Sequence, residues 1–141
     1  MSDFVLDSGV IVAAYLPATP DQRRYATNVI QLILDGAIPA VPELFTVEMP
    51  AVLIKAKRAR KISAATLSKA IAELDRLPYE VHHMAFTTAM LVDCAQRYML
   101  SGYDASYFDL ARRLQIPLAS LDQGHRSACK AHGVTLMTFG P

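Results

Sequence analysis

The stretch YDASYFDLARRLQIPLASLD, residues 103–122, decides how the chain is read. Tyr107, Leu110, Ala111 and Leu114 recur at the one-face spacing of an amphipathic helix that begins at Asp104. Ile116 to Leu121 is a short run apolar but for Ser120, expected as a buried strand ending at Asp122. A helix that feeds a buried strand is half of a βα unit, and the same alternation continues on both sides. Upstream, Phe4 to Leu6 reads as a strand ending at Asp7, with a helix from Gly9 to Leu16. Thr19-Pro20-Asp21 starts a second helix: a cap, a proline at the first helical position, and an acid facing the helix dipole. Ala26, Val29, Ile30 and Ile33 form its inner face, and Gly36 closes it.

Strands are expected at Ile38 to Val41 and Tyr79 to His82, with helices from Leu44 to Lys57 and from Ser63 between them. The second of those helices turns Leu67, Ala70, Ile71 and Leu74 to one side. A helix from Thr87 to Met99 faces inward through Leu91, Cys94, Ala95 and Tyr98. After Asp122 come a helix, Gln123 to His132, and a last strand, Val134 to Met137. The class is therefore α/β around a mainly parallel sheet, in one domain spanning residues 1–141.

Composition fits that reading. The chain has 141 residues, 52% hydrophobic and 19% charged, which is an ordinary globular balance. A net charge of +1 provides no global attraction for nucleic acid, so any such contact needs a local basic patch. Cys94 and Cys129 lack metal-binding or redox spacing and read as buried thiols, in keeping with a reducing cytoplasm. MSDFVLD has neither the basic segment nor the apolar core of a secretory signal, and no run is long enough to cross a membrane. A cytoplasmic location with no membrane contact is expected.

The chemistry emerges when each carboxylate is compared with the apolar pattern around it. Asp7 and Asp122 close buried strands at the C-terminal edge, where open parallel sheets bind ligands. Glu48 lies three residues after Phe45 and four before Val52, on the apolar face of its helix. Asp104 stands three before Tyr107, at the head of the inward stripe. Asp93 and Asp109 fall two residues from an inward position, about 200° around the helix, and are expected on solvated surface. Asp35, Glu73 and Asp75 read the same way.

Inward carboxylates repel one another and resist desolvation, and a divalent cation removes both penalties. All-oxygen ligands favour Mg²⁺, with Mn²⁺ able to substitute, over zinc. His82, His83, His125 and His132 show no ligand spacing with one another. Taken singly, Asp7 and Asp122 could instead cap the helices that follow, and Asp104 could favour its helix dipole.

These residues resemble the PIN-domain nucleases, and among them the VapC-type toxins of toxin–antitoxin pairs. FVLDSGVIVAAYLP resembles the opening strand and first acid, Asp7; PELFTVEMPAVLIKA resembles the helix of the second acid, Glu48. YDASYFDLARRLQIPLASLD is similar to the segment holding the third acid, Asp104, and the strand-end acid, Asp122. The family's hydroxyl residue two before that last acid is Ser120 here. The chain departs at Gly9, where a hydroxyl or amide is usual, leaving Ser8 as the neighbouring donor, and at Ala51, where many members have Asn. Pro50 removes a helical N–H, so the Glu48 helix is expected to begin near Thr46 or to kink.

The resemblance implies a three-layer α/β/α sandwich and a Mg²⁺-dependent endoribonuclease whose metal is held by Asp7, Glu48, Asp104 and Asp122. It implies attack by water, leaving a 5′-phosphate and a 3′-hydroxyl, with one or two of the four acids acting through water. It also implies a homodimer and a cognate antitoxin whose amphipathic tail lies in an apolar groove. The basic run with Lys55, Lys57 and Arg58 reads either as cations favouring a helix C-terminus or as RNA contacts, and Arg112 shares the second reading. Two alternatives stand beside the toxin: a housekeeping RNA-processing nuclease of the same fold, and a phospho-receiver-like signalling domain without catalysis. The receiver would need an adjacent acid pair after the first strand, where Asp7 is followed by Ser8.

Overall fold

The computed structural model describes residues 1–140; Pro141, the last position of the expected domain, lies outside them. The chain runs β1 (Phe4–Leu6), α1 (Ser8–Tyr15), α2 (Pro20–Leu34), β2 (Pro39–Pro42), α3 (Phe45–Arg58), α4 (Ala64–Leu74), β3 (Glu80–His82), α5 (Thr88–Tyr98), α6 (Gly102–Leu114), β4 (Leu118–Ala119) and α7 (Gln123–His132). The four strands pair in parallel in the order β3-β2-β1-β4. Parallel neighbours need crossovers, and these are right-handed almost without exception. The chain steps from β1 to β2 to β3 in one direction, which sets α1 to α4 on one face. It then returns to β4, which sets α5 to α7 on the other. The result is the expected three-layer sandwich.

This order also separates the fold from receiver domains, whose strands run 2-1-3-4-5. Direction along the sheet reverses at β1, and the edge between β1 and β4 is the switch point where ligands of open α/β sheets bind. Asp7 and Asp122 follow those two strands.

Local signals place several elements well. Thr19 and Gln22 form a reciprocal capping box with Pro20 at the start of α2, and Ala26, Val29 and Ile33 of that helix are buried. In α3, Pro50 stands inside a continuous helix rather than at its start. The proline is exposed, so the Thr46 carbonyl that loses its usual donor lies where water can reach it.

Three expectations change. The strand expected from Ile116 to Leu121 is only Leu118–Ala119, and Pro117 before it has no N–H to give a ladder. The last strand, Val134 to Met137, reduces to one parallel bridge, Leu118 to Leu136, held by Leu118 N–H on Thr135 O and Met137 N–H on Leu118 O. Asp109 is buried rather than solvated, at 3% exposure. α6 packs on the sheet with one side and against α5 with another, so every residue from Ala105 to Ala111 is buried. The far side of this helix is a second interior. There Asp109 meets Arg112 at 2.7 Å and Arg113 at 2.6 Å, which compensates a carboxylate removed from water. Cys94 and Cys129 are both free and buried, as expected. Among the described residues no helix is long and apolar enough to cross a membrane.

A carboxylate and histidine cluster at the sheet edge

Asp7 follows β1 directly, and its side chain makes no capping hydrogen bond to α1. Capping therefore does not account for a carboxylate that is 4% exposed. Ser101 caps α6 and lifts Asp104, in the first turn, toward the same edge. Asp122 caps α7, accepting the His125 N–H at 2.9 Å. That capping sets His125 on the inner face of α7, and the ring is fully buried. Asp7, Asp104 and His125 each offer a ligand atom within 4.8 Å of the others.

His125 is the residue that sequence reasoning missed. Its Nδ1 lies 2.8 Å from Ser120 Oγ and 3.6 Å from Asp7 Oδ2. Its Nε2 lies 2.8 Å from the Asp104 carbonyl oxygen and 3.8 Å from Asp104 Oδ1. The hydrogens can be counted. The carbonyl accepts only, so Nε2 carries a proton. Ser120 Oγ accepts the Asp122 N–H at 3.1 Å and donates to Asp7 Oδ2 at 3.1 Å. A hydroxyl has one hydrogen: when it serves Asp7, Nδ1 is left to donate and the ring is an imidazolium, and when it serves Nδ1 the ring is neutral. Burial pulls the His125 pKa down, but the hydrogen bond and charge of Asp7, with those of Asp104, outweigh it and raise it to about 9.

Burial likewise raises the Asp104 carboxyl, with His125 opposing the shift and Asp122 and Asp7 adding to it. A pH effect follows for metal-free protein. A histidine whose pKa is raised on folding contributes fully below its unfolded value near 6.5, and that contribution is lost as pH rises through about 9. Over this window the folded state holds a proton that the unfolded state has lost, so stability should fall by up to about 1.4 kcal/mol per pH unit. Urea unfolding in chelator from pH 6.5 to 9.5 measures it, and a flat profile matching that of His125→Leu would refute the imidazolium.

The remaining carboxylate is held by a different partner. The Tyr107 hydroxyl donates to Glu48 Oε1 at 2.9 Å, and the Tyr107 ring is fully buried in α6. Burial, then the Glu48 charge, push the phenol pKa well up, so it stays a donor. Glu48 and Asp122 thus stand one step outside the trio of Asp7, Asp104 and His125. Ser120 is at the centre, fully buried, and Ser8 is half-buried after Asp7. Gly9 keeps the approach to Asp7 clear, since a Cβ there would lie 3.2 Å from Asp7 Oδ2.

The basic candidates sit farther away. α3 starts near the C-terminal sheet edge and runs from it, so Lys55 lies about 10 Å and Arg58 about 15 Å beyond Glu48 along the axis, with Lys57 between them. Arg112 is about 12 Å along α6 from Asp104 and engaged with Asp109. His82 and His83 stand beside Glu80 and Glu43, and His132 packs on the Tyr98 ring.

The donors suit a hard divalent cation. The second oxygens of Asp7, Glu48 and Asp122 accept no hydrogen bond from the described residues, whereas Ser120, Tyr107 and the His125 N–H hold the first. Oxygens aimed at one edge, with like charges only partly offset by one imidazolium, are the donor set such an ion requires. Zinc is disfavoured, because both nitrogens of the only histidine in the cluster are already engaged.

No protein-family model matches the chain, and no curated protein matches it by sequence. Solved structures do. PAE2754 from Pyrobaculum aerophilum is 17% identical with a TM-score of 0.60, over 90% of this chain and 86% of that one. VapBC2 from Rickettsia felis, solved bound to a DNA fragment from its promoter, is 13% identical with a TM-score of 0.61 over 95% and 96%. At such identities the likeness speaks for the fold, and the fold of this chain is the PIN-like α/β sandwich.

Proposed function

We propose that the chain is a Mg²⁺-dependent endoribonuclease toxin of the VapC type, neutralised by a cognate antitoxin. The observation that carries the reading is the meeting of Asp7 and Asp104 at the switch point of a fold shared with VapBC2, with Asp122 bonded to the His125 N–H and Glu48 to Tyr107. Asp7 and Asp104 would hold the cation directly, and Glu48 and Asp122 directly or through water. When bound, a divalent cation supplies an activated water and offsets charge on the scissile phosphate.

The chain's own residues supply position. Ser120 fixes the rotation of Asp7, Tyr107 fixes that of Glu48, and the α7 cap fixes Asp122. The rigid elements behind them, β1, β4 and α6, keep the oxygens in register before substrate arrives. The same arrangement would serve a housekeeping nuclease, and the toxin reading draws on VapBC2 and on a second surface. Between α3 and α4 lies a groove of about 470 Å³, mostly apolar, lined by Phe45, Met49, Leu53, Leu67, Ile71 and Leu74. Ile71 is 49% exposed there although it belongs to the expected inner stripe of α4. An amphipathic antitoxin segment would cover that stripe.

Expression of the chain alone, followed by sequencing of RNA 5′ ends, tests the proposal. Growth arrest with new 5′-phosphate ends at defined sites is expected, both reversed by the neighbouring reading frame. Normal growth with cleavage would favour the processing enzyme; no cleavage in vivo or with Mg²⁺ or Mn²⁺ in vitro would sink the nuclease reading.

A further inference from the structure

His125 joins more of the site than any other side chain. From α7 it reaches Ser120 after β4, the Asp104 carbonyl in α6 and, at longer range, the Asp7 and Asp104 carboxylates. It is fully buried, so neither contact competes with solvent. Burying an imidazole among carboxylates is costly for stability alone, and an apolar side chain would fill the same space on α7 beside Ala128 and Cys129. Such a residue calls for a role at the site.

Both ring nitrogens are engaged at 2.8 Å, so the ring is placed to orient ligands rather than to be one. Through Ser120 it fixes which oxygen of Asp7 is occupied, and through the Asp104 carbonyl it fixes the first turn of α6, with Asp104 Oδ1 3.8 Å away. Held in this way, the Asp7 carboxylate presents one oxygen instead of swinging to present two, while the backbone that carries Asp104 is fixed. Mg²⁺ and Mn²⁺ accept such single-oxygen ligands in an octahedral shell, whereas Ca²⁺ takes six to eight oxygens and readily uses bidentate carboxylates.

We propose that His125 is a positioning residue for the cation, holding Asp7 through Ser120 as a single-oxygen ligand and fixing the turn that carries Asp104, and so favouring Mn²⁺ or Mg²⁺ over Ca²⁺. The inference rests on the metal site proposed above and goes beyond it in assigning the selectivity to a residue outside the acid set. Outer-shell partners of metal ligands typically govern 10–100-fold in affinity.

The experiment is Mn²⁺ binding followed by electron paramagnetic resonance, with Ca²⁺ competition, on the whole chain as wild type, Asp104→Asn, His125→Leu and His125→Gln. Circular dichroism and thermal unfolding in chelator confirm folding. Gln preserves a donor toward the Asp104 carbonyl, so that variant carries the test if Leu fails to fold. His125→Leu is expected to bind Mn²⁺ about tenfold more weakly and to lose much of the discrimination against Ca²⁺, with His125→Gln between it and wild type. Mn²⁺ binding and Ca²⁺ competition within twofold of wild type in the folded variants would overturn the inference alone. Equal weakening for both ions would also overturn it, because that reports only a loosened fold. A directly bound nitrogen in the wild-type Mn²⁺ spectrum would do so as well, by making His125 a ligand. Wild-type binding no tighter than that of Asp104→Asn would overturn the metal site itself, and this inference with it.

Discussion

Asp104→Asn and Asp7→Asn are each expected to lower cleavage of a labelled single-stranded RNA about 10³-fold or more, with the fold preserved. Asparagine keeps the shape of the side chain but removes the negative charge and one anionic oxygen. At Asp7 the Ser120 hydroxyl, 3.1 Å away, can still donate to the amide oxygen, so the cluster need not rearrange. What is lost is hold on the cation, which contributes several kcal/mol to stabilising the transition state. A loss of about 4 kcal/mol corresponds to roughly 10³-fold in rate. Cleavage should be measured with Mg²⁺ and with Mn²⁺ beside Mn²⁺ affinity for the same protein. Either variant retaining a tenth of wild-type activity would remove its carboxylate from the proposed machinery. Wild-type cleavage that persists in excess chelator would remove the metal.

The second large effect concerns stability. Tyr107→Ala should cost about 3–5 kcal/mol, since it empties the space of the largest fully buried side chain. Against a total stability of about 5–15 kcal/mol that loss brings the domain close to unfolding. Tyr107→Phe isolates the hydroxyl. It keeps the ring against α6 and the sheet but removes the 2.9 Å hydrogen bond to Glu48, and should cost only about 1 kcal/mol. Urea titration of both variants separates packing from polar contact, and similar midpoints for the two would contradict the division. Activity adds a second contrast. Tyr107→Phe should lower cleavage while the protein stays folded, because Glu48 then lacks the donor that fixes its rotation.

Much of the framework is legible in the residues themselves. Thr19-Pro20-Asp21 announces α2, and α7 spans Gln123–His132 as its pattern foretells. Strand lengths are less legible, because an apolar run reports burial and not pairing. Ile116 to Leu121 is apolar at every position but Ser120, yet only Leu118 and Ala119 find ladder partners in β1. The misplaced Asp109 has a similar origin. Periodicity locates the face of a helix opposite the sheet, but only topology reveals that α5 covers that face of α6.

The site was half readable. Comparing acids with the apolar face found Asp7 and Asp104, which do meet. The same comparison applied to histidines would have found His125, since His125, Ala128, Cys129 and His132 recur at the spacing of one helical face. Spacing among the four histidines carries no sign of it, because the partners of His125 are Ser120 and the Asp104 carbonyl. Which oxygen each carboxylate has free is a matter of rotamers and neighbours from distant segments, and no local pattern encodes it.

The bridge from Leu118 to Leu136 has a consequence for how copies of this protein can meet. Tyr25 in α2 receives the Ser120 N–H and donates to the Met137 carbonyl, so the C-terminal segment is tied down along the open side of β4. At the opposite margin β3 is three residues long and carries Glu80 and His82. Neither border offers a long row of bare amides and carbonyls on which another strand could grow. Growth of the sheet from one molecule into the next is therefore disfavoured at both margins, and contact with a second molecule would fall to the helical layers.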